Sequence, residues 1–209
     1  MKLNRMAIVV MSATGLTAFA AEPAATLAEL DHARLYLQQT QNGVIGATKG
    51  LSQAQWSFKP APDRWSIAEI VEHMVLAEDL ILGPVRQQLA NAPAEGGRDA
   101  SKIDAIVLNQ MPDRTTKFKA PDIIQPTGRW TPVVTMDRLR KNYAELMEYL
   151  ETTPDLRQHA VDALPLKALS NGAYDSMDGY QWILAATAHV ERHTKQILEV
   201  RADAGFPAK

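Results

Sequence analysis

The chain has 209 residues, with 22 Lys and Arg against 24 Asp and Glu, for a formal net charge of -2. Without a block of basic residues, that balance gives no electrostatic footprint for nucleic acid or an anionic membrane. The sequence contains no cysteine, which excludes disulfides, thiolate metal ligands, a cysteine nucleophile and a lipid attached at a leader cysteine.

The N-terminus reads as an export signal. Lys2 and Arg5 precede an apolar run from Met6 to Leu16, and Ala18-Phe19-Ala20 supplies a small-x-small cleavage pattern. Cleavage after Ala20 or Ala21 is expected, so residues 1–21 are assigned to a signal peptide and 22–209 to one helical domain, periplasmic or secreted. The apolar run is shorter than the ~20 residues a spanning helix needs, and no later stretch approaches that length, so no membrane span is expected after cleavage.

The mature part reads as four long helices with no convincing strand alternation. The first covers about Thr26 to Thr48, with Leu27, Leu30, Leu37 and Val44 at helical spacing and Arg34 snorkelling from the same stripe. K-P-A-P-D-R then breaks the helical pattern, because closely spaced prolines remove donors and push their predecessors to extended backbone. The second helix has the clearest start: Ser66 and Glu69 form a capping box, and Trp65 with Ile70 a hydrophobic staple, with continuation to about Leu89.

A link of about forty residues follows, carrying Pro93, Pro112, Pro121, Pro126 and Pro132 and a short helix predicted over Ser101 to Asn109. A third helix is predicted from a cap at Thr135 through Leu139, Tyr143, Leu146 and Leu150. The fourth starts near Ser176 to Asp178 and ends about Arg201. A link that long runs back along the bundle and lets successive helices lie parallel. The expected fold is therefore an all-α four-helix bundle, up-down-down-up, with a crossover between helices two and three. Long links are often functional, and this one is expected either to wall the site or to act only as the crossover.

Histidines carry the chemistry. His73 falls on a stripe with Ile70, Met74, Ala77, Leu80 and Ile81, and His189 and His193 on one with Trp182, Ala186, Val190, Ile197 and Val200. Residues four apart lie roughly 6 Å apart on one helix face and can grip one ion. H-x-x-x-H also arises by chance, and a single buried histidine is more often a satisfied core residue, so the pair alone leaves both readings open. His32 and His159 lack such company.

Glu69, one turn before His73, reads as a cap in preference to a metal-site partner. Gln196 lies beside His193 and is a candidate hydrogen-bond partner, whereas Glu72, Glu191 and Arg192 are expected to be solvated and Trp182 to be core.

The sequence resembles the DinB-like bundles. The resemblance rests on L-S-Q-A-Q-W-S-F-K-P-A-P-D-R-W-S-I-A-E-I-V-E-H, on P-D-R-T, A-P-D and P-T-G-R-W in the crossover, and on D-G-Y-Q-W-I-L-A-A-T-A-H-V-E-R-H-T-K-Q-I, in that order. It implies that the two stripes meet and that His73, His189 and His193 ligate one divalent metal ion, zinc or nickel. It also implies a tendency to pair as homodimers. Characterised members include thiol-dependent transferases and isomerases, but fold and metal site do not settle a reaction.

Three imidazoles leave at least one coordination position for water or substrate, as in catalytic zinc sites, so hydrolysis is chemically available. Export argues against low-molecular-weight thiols as cosubstrates. The leading expectation is a metal-dependent hydrolase acting on a small molecule, with no general base identified. The alternatives are a non-enzymatic metal-containing ligand-binding or stress-associated domain and a thiol-dependent transferase.

Overall fold

Side-chain caps set where the long helices begin. In the computed structural model, which describes residues 23–208, Thr26, Ser66 and Asp178 each sit at an N-cap and form a full capping box with the residue three positions on. Each box satisfies two orphan backbone donors, and losing such a cap costs about 1 kcal/mol. The predicted leader, including both cleavage positions after Ala20 and Ala21, lies outside the described residues.

The helices in chain order are α1 (Leu27–Thr48), α2 (Gln53–Ser57), α3 (Ile67–Leu80), α4 (Arg86–Asn91), α5 (Ala100–Gln110), α6 (Pro132–Thr152), α7 (Leu164–Leu169) and α8 (Gly179–Arg201). A π-turn over Ile81–Val85 joins α3 to α4 in one continuous rod. Pro84 lies inside that turn. Proline lacks the N–H that the helix ladder uses and crowds the preceding turn, and widening to π geometry relieves both.

Four rods, α1, the α3–α4 rod, α6 and α8, form the bundle. Contacts between the rods fix their directions. Tyr36 meets Glu191 and Arg201 meets the Ala47 carbonyl, so α1 and α8 run parallel. Arg34 reaches Glu151 near the end of α6 while Thr48 meets Met136 near its start, so α1 and α6 are antiparallel. Glu72 pairs with Arg129 just before α6, and Asp79 with Arg138 and Asn142 within it, so α3 and α6 are parallel. The topology is up-down-down-up, as expected.

Two details correct the sequence reading. The third bundle helix starts at Thr131, not Thr135, because Pro132 occupies the first helical position, where its fixed φ is an advantage and its missing N–H costs nothing. Thr131 caps Val134 N, and the Thr135 hydroxyl donates to the Thr131 carbonyl. Beside the bundle lie two short antiparallel strands, β1 (Ala160–Asp162) and β2 (Ser176–Asp178), with Ala160 opposite Asp178. At three residues each they are too short to show alternation.

The core divides along the bundle. One apolar cluster includes Ile103, Val107, Leu146, Leu150, Leu166 and Ile183. The second, around the start of α3 and the end of α8, includes Ile67, Ile70, Met74, Leu139 and Ile197. Full burial of such side chains stabilises the fold by about 1.5–3 kcal/mol each. Trp182 is core, as predicted, and Trp65 packs on the cluster that holds Ile70, completing the predicted staple.

At the first cluster's end, Arg157 ties Glu29, Asp104 and Asp178 together, and Arg98 donates to Asp178 and Gln181. This network holds the cap of α8 and fixes the helix that carries two of the histidines.

Candidate metal centre

The three predicted histidines converge. His73 Nε2 lies 3.1 Å from His189 Nε2, and His193 Nε2 lies 3.0 Å from the same atom. The ring centroids are 4.4 to 4.9 Å apart. His73 and His193 are buried and His189 is half-buried. Among the described residues these three are the group of donors able to share a metal ion, with ligand atoms all within 4.8 Å of one another.

The other ring nitrogens define the tautomers. His73 Nδ1 donates to the Ile124 carbonyl at 2.8 Å, and His193 Nδ1 donates to Gln196 Oε1 at 2.8 Å. Neither acceptor can give a proton, so both rings carry their hydrogen on Nδ1 and aim an Nε2 lone pair inward. His189 can donate its single hydrogen to one of those lone pairs at most. Without a cation, at least one inward Nε2 lone pair is therefore left without a hydrogen of its own to accept.

Burial disfavours the charged forms. It pushes the His193 imidazole down to about 3 and drives His189 well below the ordinary range, with neighbouring positive charge acting in the same direction on both. His73 is also lowered by burial, with the Ile124 carbonyl partly opposing. The rings are therefore neutral near pH 7, the form that ligates metals. The nitrogen spacing is close to the roughly 3.3 Å between two ligands of a tetrahedral ion with ~2.05 Å bonds. The donor set fits a divalent ion.

Trp65 covers one side, its ring centroid 4.8 Å from that of His73 and 6.4 Å from that of His193. His32 is exposed and stacks on Tyr36, and His159 bonds the Ala92 carbonyl, so neither joins the cluster.

Glu69 completes the Ser66 capping box and accepts from Lys59 Nζ at 2.7 Å. Gln196 bonds His193, as its place on the wheel suggested. Glu191 is partly buried, accepting from Tyr36 and paired with Lys195.

Two expectations fail. Glu72 is buried, accepting from Thr127 N at 3.0 Å and Gly128 N at 2.8 Å and pairing with Arg129. Arg192 is buried as well, donating to the carbonyls of Met111, Asp113 and Thr116. Both were expected to be solvated because they lie off the apolar stripes. The crossover covers that side with polar backbone, which leaves no hydrophobic signal in the sequence. The Ile124 carbonyl was equally invisible, being a main-chain atom. Gly128, with φ +70, was the available clue, since P-T-G-R-W announces a turn of positive φ.

The sequence pattern of the DinB superfamily matches residues 36–197. An uncharacterized protein of Bacillus subtilis strain 168, YuaE, is 22% identical over 154 residues, covering 73% of this chain and 87% of YuaE. Among solved structures, YfiT from Bacillus subtilis superposes with a TM-score of 0.58 at 12% identity, covering 90% of this chain and 95% of YfiT. YfiT is described as a probable metal-dependent hydrolase with an unusual four-helix bundle topology.

Proposed function

This chain belongs to the DinB superfamily, and we propose that it is a metal-dependent hydrolase of a small molecule, holding one divalent ion through His73, His189 and His193. The observation that carries the reading is the inward convergence of three neutral Nε2 atoms, two of them with tautomers set by Nδ1 hydrogen bonds. When bound, such an ion would lower the pKa of a water to about 7 and polarise a carbonyl or phosphoryl oxygen. With three protein donors, a coordination position stays open to substrate, as in catalytic zinc sites. The likeness to YfiT supports the fold, and its described activity is the analogy on which hydrolysis rests.

The chain's own residues supply orientation. Ile124 and Gln196 hold two rings in place and Trp65 shields them. One observation favours the non-enzymatic alternative, a metal-containing ligand-binding domain. Glu69 and Glu72, the acids nearest His73 in sequence, are engaged in a cap and in the crossover, so neither is assigned as a general base.

Export to the periplasm or medium is part of the proposal and rests on the tripartite leader. The proposal is of a protein working without nucleic acid or membrane, either alone or as a homodimer. Zinc and nickel both suit the imidazole set.

The test is elemental analysis of the purified protein, followed by chelation and reconstitution while ester, amide and phosphoester panels are assayed. Turnover lost on chelation and restored by one equivalent of zinc or nickel is the expected result. Stoichiometric metal without metal-dependent turnover would favour the binding domain, and turnover that needs an added thiol would favour a transferase. Intact mass of the protein recovered outside the cytoplasm tests export. A start at Ala21 or Glu22 is expected, and a cytoplasmic product retaining Met1 would refute it.

A further inference from the structure

The segment between α5 and α6 is fastened to both histidine-bearing helices, and in each case by the residue immediately before a histidine. On α8, Arg192 donates to the carbonyls of Met111, Asp113 and Thr116, the last at 2.6 Å, and its guanidinium lies over the Phe118 ring at 5.5 Å. One turn on, Lys195 Nζ reaches the Pro112 carbonyl at 3.3 Å. Arg114, from the segment itself, grips Glu199 through two bonds of 2.6 and 2.7 Å and donates to Gln196 Oε1 at 3.3 Å. On α3, Glu72 accepts from the backbone of Thr127 and Gly128 and pairs with Arg129.

The segment so fastened returns two contacts to the histidines. Its Ile124 carbonyl accepts from His73 Nδ1, and its Arg114 bonds the Gln196 amide oxygen that accepts from His193 Nδ1. Undocking the segment would free both rings to turn or change tautomer. Conversely, an ion that fixes the rings favours the docked segment. Two equilibria sharing contacts in this way are linked, and the linkage is reciprocal.

We propose that Arg192 and Glu72 are positioning residues that dock residues 111–129 as the outer wall of the histidine cluster, so that divalent-ion binding and docking of this segment are one coupled equilibrium. The proposal rests on the metal-binding reading given above. Neither residue belongs to the group of candidate donors. Arg192 acts as a fork whose planar donors reach three carbonyls at once, a geometry a lysine ammonium does not reproduce.

Two measurements on the purified protein test it. The first needs no variant: the rate of trypsin cleavage after Lys117 and Lys119, both exposed, is mapped by mass spectrometry with and without zinc. A free peptide of residues 112–126 is cut alongside to correct for any effect of zinc on the protease. Zinc is expected to slow cleavage of the protein and not of the peptide.

The second measurement is zinc affinity, by competition with a chromophoric chelator, for Arg192→Ala, Arg192→Lys and Glu72→Gln. Arg192→Ala and Glu72→Gln are expected to lose roughly 10- to 100-fold in affinity, the size seen when partners of metal ligands are removed, and to be cut faster at the segment. Arg192→Lys is expected to restore little. Zinc bound by the wild type without any slowing of cleavage would overturn the coupling and leave the metal site standing. So would an Arg192→Ala protein that is cut faster yet binds zinc as the wild type does. If Arg192→Ala fails to fold, the wild-type protection and Glu72→Gln decide. No zinc binding by the wild type would overturn the metal-site reading, and this inference with it.

Discussion

Gln196 offers the sharpest probe of how the cluster is held. Its Oε1 accepts from His193 Nδ1 at 2.8 Å and from Arg114 Nη1 at 3.3 Å. Gln196→Leu keeps most of the side-chain volume and removes the acceptor. Arg114 stays fixed by its two bonds to Glu199, so the loss falls on His193. A buried N–H left unpaired costs about 1–3 kcal/mol, and His193 can recover part of that by moving its hydrogen to Nε2. That tautomer points a hydrogen, not a lone pair, at the other two Nε2 atoms, and metal affinity suffers. The expected drop is roughly 10- to 100-fold, or about 1.4–2.7 kcal/mol. Gln196→Glu should hold or raise affinity, because a carboxylate facing Nδ1–H keeps the same tautomer and makes the ring more basic. Competition titrations against a chromophoric chelator, with circular dichroism of each apo-protein to exclude unfolding, measure both. Equal affinities for wild type and Gln196→Leu would refute the claim that this hydrogen bond sets the His193 donor.

Further expectations follow from other side chains. Alanine at His73, His189 or His193 should severely weaken metal binding while alanine at His32 or His159 leaves it unchanged. A His189 and His193 double variant that binds normally would exclude the site. Glu69→Ala, which removes half of the Ser66 box and the Lys59 ion pair, should lower stability by about 1 kcal/mol in thermal melts with zinc affinity unchanged, and a 10-fold affinity loss would mean that Glu69 serves the metal site. Glu78 is fully buried with Oε2 unpartnered, and burial raises its carboxyl well above the ordinary 4.5, with Asn142 opposing and Asp79 adding to the shift. Because the folded value exceeds the unfolded one, its contribution to stability is full below the unfolded value and is lost as pH rises through the folded value. Glu78→Gln should therefore gain in melting temperature relative to wild type on going from about pH 5 to about pH 8, and a constant difference would show that Glu78 does not titrate this way.

Legibility in the sequence followed the kind of force at work. Helix positions were readable where a side chain caps backbone, as at Ser66, since capping is local and leaves a pattern four residues long, whereas the start of α8 was placed only near Ser176 to Asp178, from the helix dipole. Thr131 was missed in favour of Thr135 because both are threonines ahead of apolar residues, and Pro132 was counted as a breaker although it suits a first helical turn. The His189–His193 pair was readable from helical spacing, as was Gln196 beside it. That α3 and α8 bring His73 to the pair is a tertiary fact that periodicity does not encode, and only the resemblance anticipated it. Glu72 and Arg192 were misread because an amphipathic wheel records which residues meet apolar partners, whereas these two meet main-chain N–H and carbonyl groups of the crossover.

The pattern of partners distinguishes the proposed metal centre from three core histidines that happen to touch. A satisfied core histidine uses both nitrogens against groups that complement them, as burial of a polar atom demands. Here His73 and His193 satisfy Nδ1 on the protein side and turn Nε2 toward other imidazoles, each shifted by burial away from carrying charge. Replacing the three by apolar residues of similar size would remove the buried lone pair that lacks a donor, so stability alone gives no reason for the arrangement. Its rigid outer contacts point the same way: Ile124 from the crossover and Gln196 from α8 approach from different elements to hold the rings in a geometry that helps the apo-fold little. Inward nitrogens held in place by dedicated partners are what the proposed cation site calls for.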